Sequence, residues 1–324
     1  MNKKVRLPMI VGPTASGKTA LSIHVAKKLC GEIISADSMQ IYRELNICSA
    51  KPTKEEMQGI PHYMLSIESV TSRSFNVAEY KKMTDGFINE IILRDKIPIV
   101  VGGTGLYINA LSYPLSFTSV EPNCDLRESL ALLEKDNPGS LYKLLRDCDP
   151  KAAQRLHPND TKRIIRALEV FEASGRPISD YGGDFVNGEA RECDYDPIML
   201  GITMPRELLY SRIEQRVDIM LKNGLLDEIK VLYDMKLDRS LPAVKALGCK
   251  QLFDYFDGNC TIDDAIELIK MESRRYAKRQ ITWFKRDTRI RWFDVTQYAA
   301  NEDFFSDAAA YIERAYYENS RQTE

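Results

Sequence analysis

Gly-Pro-Thr-Ala-Ser-Gly-Lys-Thr, residues 12–19, follows directly on the apolar run Leu7–Val11. This stretch matches the phosphate-binding loop pattern G-x-x-x-x-G-K-[ST] at each fixed position, between a predicted strand and a predicted helix. Its glycines let the backbone turn so that successive N–H groups face an anion, and the following helix adds its positive N-terminal end. Lys18 supplies a point charge, and the Thr19 hydroxyl is placed to ligate Mg²⁺ between two phosphates. The loop therefore predicts a di- or triphosphate ligand, and leaves open whether phosphate is transferred, hydrolysed or released.

The composition is typical of a globular protein in a reducing compartment. The chain has 324 residues and a formal net charge of −2, which suits one large domain or a core with an insertion. No apolar run approaches the roughly 20 residues that crossing a bilayer requires, and the N-terminus leads straight into the first strand. The seven cysteines form no C-x-x-C pair and the three histidines are scattered, so neither a disulfide framework nor a metal cluster is indicated. We expect a cytoplasmic monomer without a membrane partner.

A basic segment lies near the C-terminal end of this slightly acidic chain. Between Lys270 and Arg291 there are nine Lys or Arg and two Asp or Glu, which favours a polyanionic partner. Apolar residues within Ile266–Phe284 fall on one helical stripe, so the cations are predicted to form a ridge on the rest of that helix. A cationic ridge beside an exposed Trp or Tyr suits RNA phosphates and a splayed base. A solvated basic face is the alternative.

Two polar segments follow predicted strands. Gly31–Ala36 leads into Asp37, and Lys96–Val101 leads into Gly-Gly-Thr-Gly and so to Thr104. Because ligands of open α/β sheets gather at the carboxyl ends of the strands, both side chains are predicted to face the phosphate loop. Nucleotide hydrolases usually carry a magnesium-binding Asp where this chain has glycines, which counts against an ATP motor or a switch GTPase. A helix cap or a plain tight turn remains the alternative for each segment.

Residues 117–189 break the alternation of strands and helices. They read as several helices followed by a Gly-rich, polar stretch at 181–188, and the strand Asp196–Thr203 then returns to the core. We therefore predict a P-loop NTPase-like α/β core with a mainly parallel sheet flanked by helices, formed by residues 1–116 and 190–324, and an all-helical insertion at 117–189. The helix after the returning strand carries Arg212 and Arg216 on one face, either as anion ligands or as a salt-bridged surface.

Taken together, these segments resemble the bacterial tRNA dimethylallyltransferases, also called tRNA isopentenyltransferases. The resemblance covers nearly the whole chain, and the segments that carry it are Gly12–Thr19, Ser35–Tyr42, Gly102–Tyr107, His157–Asp160 with Arg163–Val170, Lys245–Gln251 and Lys278–Arg286. It implies transfer of a dimethylallyl group from dimethylallyl diphosphate to the exocyclic amine of the adenosine on the 3′ side of the anticodon. Diphosphate is the leaving group, Mg²⁺ is the implied cofactor, and the anticodon stem-loop of tRNA is the implied partner.

The resemblance also implies roles for individual residues. It makes Asp37 the base that receives the amine proton, Thr104 a contact to the adenine and Lys18 a stabiliser of the leaving group. The diphosphate ligands that it implies are Gly12, Thr14, Ala15, Ser16, Gly17, Lys18, Thr19 and one of Arg212 and Arg216, with Mg²⁺ at Thr19. The tRNA-contacting positions that it implies are Asp37, Ser38, Met39, Gln40, Thr104, Lys162, Arg163, Ile164, Ile165, Arg166, Ala246, Leu247, Gly248, Cys249, Lys250, Gln251, Lys278, Arg279, Gln280, Ile281, Thr282, Trp283, Phe284 and Lys285.

Three other functions use some of the same residues. A kinase of a nucleotide or a small metabolite would use the phosphate loop with ATP, and such kinases also place an Asp beyond the second strand. An isopentenyltransferase acting on free adenine nucleotides would need no basic ridge. A non-catalytic RNA-binding protein would need neither Lys18 nor Asp37. The glycine-rich end of the Lys96–Val101 strand and the basic segment together favour the transfer to tRNA.

Overall fold

The computed structural model describes residues 4–73, 75–114, 120, 123–181 and 193–317. Within them, one sheet of six strands forms the centre of the molecule, and every pairing in it is parallel. This confirms the predicted α/β core with a parallel sheet. In chain order the strands are β1 (Val5–Val11), β2 (Gly31–Ala36), β3 (His62–Tyr63), β4 (Ile97–Gly102), β5 (Tyr195–Thr203) and β6 (Arg291–Asp294).

The order of the strands across the sheet is β3-β2-β4-β1-β5-β6. Met9 at the middle of β1 is paired with Val100 of β4 on one side and with Met199 of β5 on the other. Residues 7–11 of β1 are all buried, as a central parallel strand covered on both faces must be. Because β2, β4 and β1 are neighbours that run in the same direction, their carboxyl ends lie side by side at one edge of the sheet.

Nine helices belong to the same compact unit as the sheet, which comprises residues 1–112 and 194–324 as far as they are described. They are α1 (Lys18–Leu29), α2 (Lys54–Met57), α3 (Val77–Leu93), α4 (Gly105–Ser112), α9 (Arg206–Lys222), α10 (Leu225–Asp234), α11 (Cys249–Phe256), α12 (Ile262–Phe284) and α13 (Asn301–Tyr317). Helices α5 to α8 belong to the second unit, which is described below.

Side chains alternate between the two faces of the sheet, and each face has its own core. Ile10 of β1 packs with α1 and α13, where Leu21 and Val25 supply the apolar stripe predicted for the first helix. Met9, one residue earlier, belongs to the opposite core with Tyr80 of α3 and Ile108 of α4. This alternation is the two-residue period of an extended strand, and it makes the β1 side chains the common centre of both layers.

A third core lies beyond the edge of the sheet and joins α9, α10, α11 and α12 to the chain that follows β2. The Glu228 carboxylate of α10 accepts the backbone N–H groups of Asn46, Ile47 and Cys48 at 2.9, 2.8 and 2.8 Å. One partly buried carboxylate thus satisfies three successive amides of a turn that has no strand or helix partner. This turn lines part of the site described below.

The second compact unit comprises residues 113–193 as far as they are described. Its helices are α5 (Cys124–Asp136), α6 (Ser140–Cys148), α7 (Pro150–Arg155) and α8 (Thr161–Ser174), and its described residues contain no strand. Leu145 and Ile164 lie in its small core, and the buried Glu169 carboxylate pairs with Arg127 and Arg166. The predicted domain boundaries at 116/117 and 189/190, like most of the Gly-rich stretch 181–188, lie outside the described residues, so the boundaries stay a prediction.

Across the described residues, no helix combines the length and the apolar character that a bilayer crossing requires.

The junction of β4 with β2 depends on the absence of a side chain at Gly102. A Cβ atom there would lie 2.2 Å from the Ala36 carbonyl oxygen, which belongs to the backbone of a paired strand and has no room to move. We expect Gly102→Ala to lower the free energy of unfolding by about 3 kcal/mol, the upper range for overpacking a core. Urea denaturation followed by circular dichroism measures this change.

Gly86 provides the matched control, because it lies exposed inside α3 and an added Cβ would meet nothing within 4 Å. Gly86→Ala should raise the free energy of unfolding by roughly 0.5–1 kcal/mol through its better helix propensity. A Gly102→Ala protein as stable as the wild type would show that β2 and β4 tolerate a wider separation than the structure has.

Candidate active site

The phosphate loop occupies the turn between β1 and α1. Its backbone enters the left-handed region at Gly12, Ala15 and Gly17, whose φ angles are 154°, 61° and 91°. A Cβ at Gly12 would approach the Ile202 carbonyl oxygen to 3.1 Å, so this glycine is also required for close packing against β5. The Ser16 hydroxyl is buried and has no hydrogen-bond partner among the described residues. A buried hydroxyl without a partner in a turned, glycine-bearing loop is a group that a bound anion would satisfy.

Two cations are enclosed at this loop. Desolvation, and then the nearby Arg216, lower the pKa of Lys18 to about 7, although Asp37 acts in the opposite direction. The Lys18 ammonium donates to the Pro13 carbonyl oxygen at 2.7 Å, although part of the side chain still reaches solvent. Desolvation also lowers the pKa of Arg216, while the Asp37 and Glu56 carboxylates act in the opposite direction. Two poorly solvated cations that share a single close carboxylate form a site with surplus positive charge, and a bound anion would relieve it.

Asp37 stands at the end of β2 and forms a turn with its own backbone. Its Oδ1 atom accepts the Met39 N–H at 2.9 Å and the Gln40 N–H at 3.4 Å. These bonds fix the orientation of the carboxylate, and Oδ2 takes part in no hydrogen bond within the described chain. The turn-forming alternative considered from the sequence is therefore real, but it occupies only one of the two carboxylate oxygens.

Thr104 lies next to Asp37 because β4 lies next to β2. The Thr104 N–H donates to the Ala36 carbonyl at 3.0 Å, which continues the ladder one step past the strand. Its Oγ1 atom accepts the Ser38 N–H at 3.0 Å. The hydroxyl thus adjoins the residue that follows the carboxylate, as the prediction of a shared crevice requires.

Two cavities open at this edge of the sheet, and both lie within the larger unit. The smaller has a volume of about 160 Å³ and is lined by residues 14–19 of the phosphate loop together with Gln40, His62 and Gly103. The larger has a volume of about 610 Å³ and mixes apolar side chains such as Met39 and Met220 with polar ones. The residues that line both cavities are Thr14, Asp37, Ser49, Arg216 and Tyr276. The carboxylate and one cation therefore stand where the two spaces meet.

The structure separates the two arginines that the sequence left as alternatives. Arg216 lines both cavities, while Arg212, one helical turn earlier on α9, lines neither of them. The acids that suggested a salt-bridged surface are occupied elsewhere, since Glu214 pairs with Arg274 and Asp218 with Lys270. Arg216 is therefore the arginine placed to meet an anion at the loop.

The segments with implied tRNA contacts divide into exposed and buried members. The predicted positions that line the larger cavity are Asp37, Ser38, Met39, Ala246, Leu247, Lys250, Gln251 and Arg279. By contrast, the side chains of Ile164, Cys249 and Phe284 are buried in cores, so they are not accessible to a partner from solvent. In the second unit, Arg163 pairs with Asp160 and Arg166 with Glu169.

Helix α12 carries the predicted cationic ridge, but only part of the basic segment is unpaired. Among the described residues, five exposed cations of the segment form no ion pair: Lys278, Arg279, Lys285 and Arg286 at the C-terminal end of α12, and Arg291 of β6, which packs over the rings of Phe293 and Tyr311. The expectation of an exposed Trp or Tyr beside them is not met by Trp283, which is half-buried and packs on Gly105, where a Cβ would meet the indole at 2.2 Å. Glycine at 105 allows this close approach, which the spacing of the aromatic residues did not indicate.

Tyr276 and Gln280 contribute to the site in a way that the sequence reasoning missed. Desolvation and then the Asp37 carboxylate raise the pKa of Tyr276 to about 12, while hydrogen bonds with Thr104 and Gln280 act in the opposite direction. Gln280 is only 5% exposed, so its side chain is not part of the outer ridge with which it was grouped. The available signal was its spacing, since Gln280 falls among the apolar positions of the α12 stripe, where a polar residue needs partners.

Comparisons with known proteins agree with one another. The family model described as IPP transferase matches residues 40–287. A tRNA dimethylallyltransferase of Caldanaerobacter subterraneus subsp. tengcongensis is 45% identical over 310 residues, which is 95% of this chain and 98% of the relative. The full-length tRNA isopentenylpyrophosphate transferase of Bacillus halodurans has a solved structure that is 40% identical, with a TM-score of 0.73. The match covers 98% of this chain and 99% of the Bacillus halodurans chain. The solved structure of a eukaryotic dimethylallyltransferase acting on tRNA is 31% identical, with a TM-score of 0.76. The match covers 94% of this chain and 80% of the eukaryotic chain.

The depressed pKa of Lys18 predicts how anion binding depends on pH. With a pKa of about 7, the ammonium is largely neutral at pH 8 in the free protein, and a bound diphosphate would restore its proton by raising the pKa. The affinity of wild type for inorganic diphosphate should therefore fall by about 10-fold per pH unit above pH 7, relative to Lys18→Met. Calorimetric titrations of both proteins between pH 6 and pH 9 measure this ratio.

The ratio of the two affinities removes the ionisation of the ligand itself, which both proteins share. Below pH 7 the ratio should level off, because Lys18 is then charged in both the free and the bound state. A ratio that stays constant from pH 6 to pH 9 would mean that Lys18 does not titrate in this range.

Proposed function

This chain belongs to the tRNA dimethylallyltransferase family, and from that membership and the geometry of the site we propose the following mechanism. A dimethylallyl group is transferred from dimethylallyl diphosphate to the exocyclic amine of the adenosine on the 3′ side of the anticodon, and diphosphate is released. The observation that carries the mechanism is that Asp37 and Arg216 line both cavities, so a base and a cation stand between a phosphate loop and a second, larger space.

The smaller cavity is proposed to hold the diphosphate of the donor. Successive amides of residues 14–19 and the two enclosed cations meet there, and the negative charge that develops on the leaving oxygen would be stabilised by them. Arg216, and not Arg212, is assigned to this role because of its position in both cavities. A phosphate loop is thus useful here without any nucleotide, because the reaction breaks a carbon–oxygen bond and no phosphoryl group moves.

Mg²⁺ is the cofactor proposed for the diphosphate, and the residues present fit such an ion. The Thr19 side chain lines the smaller cavity and its hydroxyl makes no hydrogen bond within the described chain. The described residues contain no group of three or more His, Cys, Asp or Glu side chains that would form a cage. Mg²⁺ commonly keeps several waters and binds through substrate phosphates with few protein ligands, which matches this surrounding. When bound, the ion would neutralise charge on the leaving diphosphate.

The larger cavity is proposed to receive the adenine. The N6 lone pair forms a bond to C1 of the dimethylallyl group while the C1–O bond breaks and its electrons leave with the diphosphate. The amine proton passes to Asp37, whose orientation is fixed by the Met39 N–H and whose Oδ2 makes no other hydrogen bond in the described chain. Thr104 lines neither cavity, but it is hydrogen-bonded to Ser38, which lines the larger one, and is proposed to contact the base from there. An adenine stacked in an anticodon loop must be extruded to reach this space.

The tRNA itself is proposed to bind along the four exposed, unpaired cations of the α12 end, Lys278, Arg279, Lys285 and Arg286. Phosphate contacts of this kind supply affinity that falls steeply with salt, while shape and unstacked bases supply selectivity. Since tRNA is a cytosolic substrate, the reaction is proposed to occur in the cytosol. The monomeric state stays a prediction.

Two rival functions differ in which substrate they consume. A kinase would transfer the terminal phosphate of ATP, but β4, which neighbours β1, ends in glycines where phosphoryl-transferring relatives of this loop carry a magnesium-binding Asp. An isopentenyltransferase of free nucleotides would leave the four exposed, unpaired cations at the C-terminal end of α12 without a ligand. Both rivals are therefore less well supported than transfer to tRNA.

The decisive test supplies radiolabelled dimethylallyl diphosphate and Mg²⁺ with either unmodified tRNA or AMP as the acceptor. We expect label in tRNA and none in AMP. A parallel incubation with ATP labelled at its terminal phosphate and a panel of nucleosides should yield no labelled product. Label in AMP alone would establish the free-nucleotide rival, and labelled phosphate esters without prenylated tRNA would establish the kinase.

Two substitutions are expected to separate proton transfer from diphosphate binding. Asp37→Asn should lower the turnover number by about 10²–10⁴-fold, the usual contribution of a general base, with affinity for diphosphate and tRNA retained. Arg216→Met should instead weaken diphosphate binding, because it removes one of the two enclosed cations. Single-turnover kinetics and calorimetric titration with inorganic diphosphate distinguish the two effects.

Arg212→Met is the matched control for Arg216→Met, since it removes the same charge one turn away on α9. We expect a smaller effect on diphosphate affinity than at Arg216. Equal effects of the two arginine variants would contradict the assignment made from the cavities, and near wild-type turnover of Asp37→Asn would remove that residue from the mechanism.

A further inference from the structure

The buried side chain of Gln280 connects two parts of the site. Its Oε1 atom accepts the Thr14 N–H of the phosphate loop at 2.9 Å. Its Nε2 atom donates to the Gly103 carbonyl oxygen at 3.0 Å, immediately before Thr104. One amide therefore spans the loop after β1 and the turn after β4.

The fit at this point leaves no space for a side chain on the opposite residue. A Cβ at Gly103 would lie 2.2 Å from Gln280 Nε2, so the amide group lies directly on the glycine. The side chain is 5% exposed, which excludes water as a ready substitute for either partner. A buried amide whose donor and acceptor are both matched holds its neighbours more firmly than an apolar side chain of the same shape.

Gln280 lies on the same helix as Lys278 and Arg279, but its side chain is buried whereas theirs are exposed. Arg279, the preceding residue, is exposed and lines the larger cavity, whereas Gln280 lines only the smaller one. Tyr276, one turn before Gln280, lines both and interacts with Thr104 and Gln280. Helix α12 therefore lines the larger cavity through Arg279 and is hydrogen-bonded to the phosphate loop through Gln280.

We propose that Gln280 is a positioning residue that fixes the phosphate loop against the turn bearing Thr104, so that the leaving group and the acceptor base are held in register. It does not touch tRNA, and this reassigns a residue whose neighbours in sequence form the tRNA-facing ridge. The inference deepens the proposed function and rests on it for the identity of the acceptor. Its effect on the loop, however, is independent of which acceptor the enzyme uses.

Gln280→Met tests the proposal because methionine keeps the length of the side chain and removes both hydrogen bonds. Leaving the Thr14 N–H and the Gly103 carbonyl unsatisfied in a buried place should weaken binding of inorganic diphosphate with Mg²⁺ by roughly 10- to 100-fold. The apparent KM for the dimethylallyl donor should rise, and the turnover number should fall because the loop and Thr104 are no longer in register. The dissociation constant for tRNA should remain that of the wild type, which also shows that the variant is folded.

Arg279→Ala is the matched variant on the other side of the helix. It should reduce the affinity for tRNA and the slope of that affinity against salt by about one charge, while diphosphate affinity is kept. Glu267→Gln, an exposed change earlier in α12, serves as the neutral control and should alter none of these quantities.

Three results would overturn the proposal. The first is wild-type diphosphate affinity and turnover in Gln280→Met. The second is a loss of tRNA affinity in that variant with diphosphate binding unchanged, which would return Gln280 to the tRNA-binding set. The third is an equal loss of both affinities in a protein with a wild-type melting temperature. Because the binding measurement uses inorganic diphosphate and Mg²⁺ without tRNA or prenyl donor, it stands even if prenyl transfer to tRNA were to fail in the wild type.

Discussion

The parallel hydrogen-bond ladder between β2, β4 and β1 is the constraint on which the site depends. Because these strands run in one direction and lie side by side, the residues that follow them must come together at one edge. Asp37, Thr104 and the phosphate loop are separated by tens of residues in the chain, yet each is simply the next polar position after its strand. The tight contact of Gly102 with the backbone of β2 brings the Thr104 hydroxyl to the N–H of the residue after Asp37.

Electrostatics at that edge follow from the same geometry. Lys18 and Arg216 come from different helices, α1 and α9, and both lose solvent beside a single carboxylate. Such an arrangement is unfavourable in isolation, since two desolvated cations repel each other and the Asp37 and Glu56 carboxylates offset this only in part. It becomes favourable when a multiply charged anion enters. The two desolvated cations lower the stability of the free protein. Because a bound anion relieves their repulsion, the same cations supply the affinity for diphosphate and the stabilisation of the leaving group that the proposed reaction requires.

Helix α12 would link the two substrates in the proposed reaction. The exposed cations at its C-terminal end are those proposed to bind tRNA, and the buried Gln280 bonds both to the loop that would hold the donor and to the turn that would hold the acceptor. Tyr276 lies between these regions with its hydroxyl near Asp37 and Thr104. A single rigid element can in this way set the distance between leaving group and base, because the interior of a helix has no soft backbone torsions to absorb a shift.

The sequence alone determined the α/β core, the parallel sheet and the position of the loop, because glycine spacing and strand-length apolar runs are local signals that reflect backbone geometry. It also determined the family, since six separate motifs occur in one order. Only the tertiary structure decided between Arg212 and Arg216, because both lie on one helical face and the choice depends on how α9 packs against the cavities. The same holds for Trp283, which fits over Gly105, and for Gln280, whose two partners lie 177 and 266 residues away along the chain. Contacts between residues so distant in sequence have no local pattern, and they exist only once the sheet has brought its strand ends together.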